Sequence, residues 1–500
     1  MDLQKNEQDS RKTVQLLFLI AVGVMLFPFV LIDGLFPGWG YWLAEKYYAV
    51  PCLLFFGSAL TQRLTPTAKR SVLLAAVAVL WFAAAQLRHH FTGMGVRNFG
   101  LFATVYLLAY PFASVTRDGR ENVGMKWIAR IYVAFSLLLV LLCGMLLLDV
   151  LPEFLFDIVI LDGVRAALFW HPNGTGAVLM LGVGFTLTFL AQAKNKRDIC
   201  ILSVLVALQF CVLVLTNSRT SILMTCALLG GTLFFKFWKG GWKQFVVMAV
   251  AAVAAIAVLF AAYTAIFDLH TEIQVNKLIA QQEAAQKAAE EAAAAQEAAV
   301  EETQAAVEQI PETEPPASAE PEKQKPTTQH LYINPETGEA TIRGVGSSGQ
   351  NDLSTDIKHF NGRFTIWSAA LLALRENPET FVWGTEYVSA EIISRCGMHT
   401  AVNAHNSWLQ VWMLLGTPAF LIAMAYTLIA LWNIWTLVWR KNVELWKKVV
   451  ALMVVCVIGA SMLEAYLFAG EMPTYFVNFI FFLSTGYLVQ WNRIARGKEE

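Results

Sequence analysis

Charged side chains are scarce in this chain. Asp, Glu, Lys and Arg make up 15% of its 500 residues, where a soluble domain carries about 25%. With 56% hydrophobic residues and a mean hydropathy of +0.51, that deficit excludes an ordinary soluble fold. The cysteines form no motif. All but Cys396 lie in apolar runs and none has a CxxC partner, so neither a disulfide framework nor a zinc site is expected. No HxxxH, HExxH or DxD-like pair accompanies the polar segments, which argues against a metal-dependent centre. Nor is a cleavable leader expected. The apolar run from Val14 to Ile32 follows Lys5, Arg11 and Lys12. It is too long for a signal-peptide core and lacks a small-residue cleavage site, so it reads as a first membrane helix. The net charge of −1 says nothing about partners until it is divided among loops, and no nucleic-acid partner is expected.

What the chain does have is repeated apolar runs of about 20 residues, the length that spans a bilayer as a helix. They predict an all-α, polytopic membrane protein with about twelve helices. These fall near residues 13–32, 47–61, 71–87, 98–115, 128–148, 174–192, 199–216, 220–236, 244–266, 406–434, 446–469 and 473–491. Three regions follow: helices over 1–266, a polar region over 267–405, and helices with a short tail over 406–500.

Lysine and arginine set the orientation. They recur in alternate segments: Lys5 to Lys12, Arg63 to Arg70, Arg117 to Arg130, Lys194 to Arg197, Lys236 to Lys243, Arg440 to Lys448 and Arg493 to Lys498. The intervening short loops hold only Lys46, Arg88, Arg97, Arg165 and Arg219. Both termini are therefore expected in the cytoplasm, and 267–405 outside it. That outer region has three parts. From Glu272 it is rich in Ala, Glu and Gln and predicts a solvated helical arm. Pro311 to Gln329 is a Pro- and Glu-rich linker that cannot build a core. Tyr332 to Gly344 reads as a small hairpin. The segment 352–405 is expected to carry chemistry.

Few cations face outward, so each one needs a reason. Arg219 sits in Thr216-Asn217-Ser218-Arg219-Thr220-Ser221, between two apolar runs. An arginine beside hydroxyls at a helix start makes an anion site; an interfacial arginine bonded to carbonyls or lipid phosphate is the plainer alternative. Arg363 opens a helix whose apolar face is Ile366, Trp367, Ala370 and Leu374. A cation there opposes the helix dipole, so helix stability does not explain it. Arg88 and Arg165, with His171, Asn173, Ser218, Glu386 and Asn406, are candidates to bind the substrate in the same outer cavity. His405, flanked by Asn403, Asn406 and Ser407, suits a general base; a helix-capping histidine is the alternative. Glu386 is a competing base, as are His171 and His399. Glu464 is a carboxylate within an apolar run, suited to pair with an arginine or line a cavity.

Taken together, these pieces resemble the O-antigen ligase and polymerase superfamily of membrane glycosyltransferases. The matching pieces are His171-Pro172-Asn173, Thr216-Asn217-Ser218-Arg219, Gly362-Arg363 with Ile366-Trp367, Glu376-Asn377-Pro378, Gly384, and His405-Asn406-Ser407 with Gly416. The resemblance implies a bacterial inner-membrane enzyme that works without metal or other cofactor on the outer face of that membrane. It would invert configuration as it moves a glycan from undecaprenyl diphosphate to a hydroxyl, on the lipid A core in the ligase branch. On that resemblance Arg219 and Arg363 hold the diphosphate and His405 activates the acceptor. The insertion over 272–345 departs from the family pattern without interrupting the matched pieces. A polysaccharide polymerase or a protein O-oligosaccharyltransferase would use the same motifs. A transporter of lipid-linked sugars would share the helix count, but the chain shows no two-halves repeat.

Overall fold

The computed structural model describes residues 66–88, 123–147, 159–162, 165–168, 172–238, 241–307, 330–333, 340–343, 362–396, 403–468 and 475–496. Two compact units make up the chain: Met1–Thr264 with Asn351–Glu500, and Ala265–Gln350. The helices expected near 13–32, 47–61 and 98–115 lie outside the described residues.

In the first unit the helices are α1 (Pro66–Arg88), α2 (Val123–Leu147), α3 (Pro172–Leu190), α4 (Lys196–Leu215) and α5 (Arg219–Phe237). After the second unit come α7 (Arg363–Glu376), α8 (Pro378–Trp383), α9 (Val388–Cys396), α10 (Ser407–Val438), α11 (Leu445–Ser461) and α12 (Tyr475–Arg496). Among the described helices α2, α3, α4, α5 and α10 are long and apolar enough to cross a membrane. The protein is thus a helical membrane protein. Its exposed apolar residues make sense as lipid-facing surface: Ile201, Val204 and Leu208 on α4, and Leu421, Leu428 and Trp432 on α10.

Three differences from the expected elements have local causes. The apolar run near 244–266 does not stop before the arm. α6 (Trp242–Val307) is one continuous helix, because no Gly or Pro interrupts the sequence between them. A hairpin stands where a plain loop was expected: β1 (Val159–Asp162) pairs antiparallel with β2 (Arg165–Leu168), and Asp162 is opposite Arg165. The Asp162-Gly163 pair between apolar stretches is a hairpin signal. Third, α11 ends at Ser461 rather than near 469. In the second unit β3 (His330–Ile333) pairs with β4 (Ala340–Arg343), close to the hairpin expected there.

α3 is the centre of the first unit, buried from Gly174 to Thr188. A polar ladder ties it to its neighbours. Gln209 of α4 donates to Ser136 Oγ of α2 at 2.6 Å, and its carbonyl accepts from Thr186 of α3 at 3.0 Å. Both hydroxyls also donate to carbonyls on their own helices, so removing the amide orphans neither. Gln209→Leu is therefore expected to cost about 0.6–1.7 kcal/mol, the range of interhelical hydrogen bonds in membranes, read as a drop in unfolding free energy in mixed micelles.

The α7–α9 segment is held against α10 at one tight point. Gly416 breaks the α10 helix with φ 77°, and Pro418 follows. A Cβ on Gly416 would overlap the Val382 carbonyl, and one on Gly384 (φ 84°) would overlap the Leu414 carbonyl. Only glycine permits both the left-handed backbone and the contact. Thr385 N donates to Met413 O at 2.7 Å, Trp81 Nε1 to Leu415 O at 2.9 Å, and Trp81 stacks on Trp383. The buried face of α7 is Ile366, Ala369, Ala370, Ala373 and Leu374; of the expected face, Ile366, Ala370 and Leu374 are buried and Trp367 is half-buried at its edge. Asn377 caps α8 by accepting from Glu379 N and Thr380 N.

Candidate active site

The chain reverses after α11, and this reversal builds the site. Residues 462–468 leave the helix, with Phe468 at φ 64°. Backbone groups freed at membrane depth need new partners, and two neighbouring helices supply them. Ser407 Oγ donates to Glu464 O at 3.1 Å and accepts from Leu467 N at 2.8 Å. Asn478 of α12 accepts from Phe468 N and donates to Tyr466 O, both at 2.7 Å. The side chain of Glu464 is thereby turned inward, and the residue is 5% exposed.

Three side chains converge on that carboxylate. Arg363, at the first turn of α7, pairs with Oε1 through its guanidinium. His405 Nδ1 lies 3.1 Å from Oε2. Asn173 Nδ2, at the first turn of α3, donates to Oε1 at 3.3 Å. The ionised carboxylate only accepts, so the proton between them belongs to His405 Nδ1, and in the neutral tautomer this leaves the Nε2 lone pair available. Side-chain exposure rises from 6% at Glu464 through 15% at Arg363 to 25% at His405, so the imidazole is the accessible end. Arg363 Nε is buried and has no hydrogen-bond acceptor among the described residues. His405 itself has φ 44°, and its N–H donates to Asn403 Oδ1 at 2.8 Å.

Arg219 is the first residue of α5, half-buried, after Asn217 in the left-handed region at φ 48°. Its turn touches the same cluster through α3. A Cβ on Gly176 would lie 2.5 Å from the Ser218 Cβ. The Tyr466 hydroxyl donates to Asn173 O at 2.9 Å. Ser218 Oγ bonds Ser221 Oγ at 3.0 Å.

Of the residues singled out from the sequence, Arg363, His405 and Asn173 meet at Glu464, and Ser218 approaches α3 at Gly176, with Arg219 the next residue. Asn406 is a helix cap, accepting from Trp408 N and Leu409 N and donating to Met462 O. It, not His405, caps α10. Glu386 lies in the turn between α8 and α9 and takes no part in the hydrogen bonds of Glu464. Arg88 ends α1 and pairs with Glu379 of α8, both more than half exposed; it does not join the cluster. Arg165 lies in β2, while His171 and His399 lie outside the described residues. Glu464 organises the site; its sequence suited it to pair with an arginine without saying which, and the partner is Arg363. Tyr466 carried no signal at all.

The exposed Arg88–Glu379 pair supports a small prediction. Arg88→Ala should change unfolding free energy by no more than about 1 kcal/mol, as for other surface pairs, with turnover retained in the transfer assay described below.

Residues 202–424 match the family model described as O-antigen ligase. No curated protein matches the chain. The matched segment carries Arg219, Arg363 and His405. Asn173 and Glu464 enter the cluster from either side of it.

Proposed function

We propose that this chain, a member of the O-antigen ligase and polymerase superfamily, transfers a glycan from undecaprenyl diphosphate to a hydroxyl of the lipid A core. Transfer takes place at the outer face of the bacterial inner membrane. One observation carries the reading: the buried Glu464 carboxylate gathers Arg363 and His405 and leaves one imidazole nitrogen free.

In this mechanism His405 Nε2 takes the proton of the acceptor hydroxyl. The acceptor oxygen attacks the anomeric carbon opposite the leaving group, and the bond from that carbon to the diphosphate oxygen breaks. Undecaprenyl diphosphate departs with the electron pair, and the proton stays on the imidazole. Glu464 stabilises the imidazolium through Nδ1–H, as a buried carboxylate does for a base histidine. Arg219 and Arg363 neutralise the diphosphate as its charge grows. The unmet Arg363 Nε–H supports this role, because a phosphate oxygen would satisfy it. No step calls for a metal ion.

The test is direct. Purified protein, lipid-linked donor and core acceptor should yield glycosylated core and free undecaprenyl diphosphate with chelator present. Failure to release the lipid diphosphate would refute glycosyl transfer. A deletion strain separates the acceptors. Loss of a ligase strands long chains on the carrier, whereas loss of a polymerase strands single repeats.

A further inference from the structure

A second cluster lies at the far ends of the helices that build the site. α5 starts at Arg219 and ends at Phe237, α10 starts beside His405 and ends at Val438, and α11 starts at Leu445 and leads to Glu464. The 19 residues of α5 extend about 28 Å at 1.5 Å per residue, close to the thickness of the hydrocarbon core. The second cluster therefore sits in the opposite leaflet from the candidate active site.

Its centre is Lys448, in the first turn of α11 and 8% exposed. The ammonium lies over the Phe235 ring, 5.3 Å from the centroid. It has no carboxylate and no hydrogen-bond acceptor among the described residues. Glu444, four positions earlier, pairs with Lys447 at 2.8 Å instead. A lysine at a helix N-terminus opposes the dipole. A snorkelling lysine would place its charge in water, and Lys448 as a whole keeps only 8% of its surface accessible. Phe235 packs on Trp439 at 5.9 Å, and Trp439 on Trp238 at 5.3 Å. The Trp238 Nε1–H is buried and also lacks an acceptor among the described residues. An ammonium and a buried indole N–H thus share one aromatic cluster. Phe237 and Trp435 beside it are exposed at 50% and 61%, so the cluster opens onto lipid-facing surface.

We propose that Lys448 and Trp238 bind the phosphate of an anionic phospholipid of the leaflet opposite the active site. The phosphate oxygens accept from both donors, and the negative charge compensates the ammonium and suits the positive end of α11. The acyl chains lie along Phe237 and Trp435. A zwitterionic lipid brings its own cation and compensates less. This site is independent of the reaction assigned to the chain.

Thermal unfolding of the full-length protein in detergent micelles tests it, with titrations of phosphatidylglycerol, phosphatidylcholine and inorganic phosphate. Phosphatidylglycerol should raise the midpoint saturably, beyond the rise given by phosphatidylcholine, and inorganic phosphate should leave it unchanged. Lys448→Met should abolish the saturable rise while the lipid-free protein is at least as stable as wild type. Trp238→Phe keeps the ring and loses the N–H. It should raise the half-saturating phosphatidylglycerol about tenfold, the equivalent of one charge-assisted hydrogen bond, and it decides the matter if Lys448→Met does not fold. An unchanged phosphatidylglycerol response in either variant overturns the proposal. So does an equal rise with phosphatidylcholine or with inorganic phosphate.

Discussion

His405→Ala should lower release of undecaprenyl diphosphate by about 10²–10⁴-fold, the range for losing a positioned general base, and leave the protein folded. The fold should survive because Glu464 keeps two of its partners, Arg363 and Asn173, and the lost ring is the accessible end of the cluster. The backbone complicates an alanine there. His405 has φ 44°, a region in which alanine is strained and asparagine is at ease. His405→Asn is therefore the paired variant, since it keeps the backbone preference and an N–H but has no basic nitrogen. Both should lose rate together, with unfolding midpoints close to wild type. Added imidazole should restore part of the rate in the alanine variant alone. If both variants stayed within about tenfold of wild type, the base would lie elsewhere, with Glu386 the next residue to replace.

The chain's amphipathic logic made the α7 face legible: Ile366, Ala370 and Leu374 are buried as a period near 3.6 requires. Asn377-Pro378 reads as the end of that helix, and α7 does stop at Glu376; the turn expected after it is instead the short helix α8, which Asn377 caps. The ends of α11 and α6 were not legible, for opposite reasons. Ser461 to Phe468 contains no Gly or Pro, so its sequence reads as uninterrupted helix. What breaks it is tertiary: Ser407 and Asn478 offer hydrogen bonds that replace the helical ones. Past Ile266 the composition turns from apolar to polar without a stop signal, and the helix runs on. The site was half legible for the same reason. Arg363 and His405 stood out as polar residues in apolar surroundings, and Glu464 did too. Their meeting depends on a carboxylate 101 residues from the arginine and 59 from the histidine, at a turn that local patterning conceals.

That carboxylate carries the largest stability prediction. Glu464→Leu removes the counter-charge of a largely buried guanidinium and should cost about 3–5 kcal/mol, the penalty for breaking a buried ion pair from one side. Glu464→Gln retains an acceptor of the same size and should cost less, yet it loses the charge that stabilises an imidazolium, so turnover should fall with it. The double variant Arg363→Leu with Glu464→Leu separates the two roles. An apolar pair of similar volume is often neutral or stabilising where a buried ion pair stood, so unfolding free energy should return to within about 1 kcal/mol of wild type. Turnover should stay lost, because the proposed diphosphate clamp and the proposed support of His405 are both gone. Denaturation in mixed micelles gives the stabilities, and lipid diphosphate release gives the rates. If Glu464→Leu cost no more than the double variant, Arg363 would not depend on this carboxylate. The short path from the buried acid to the accessible imidazole would then be packing rather than chemistry.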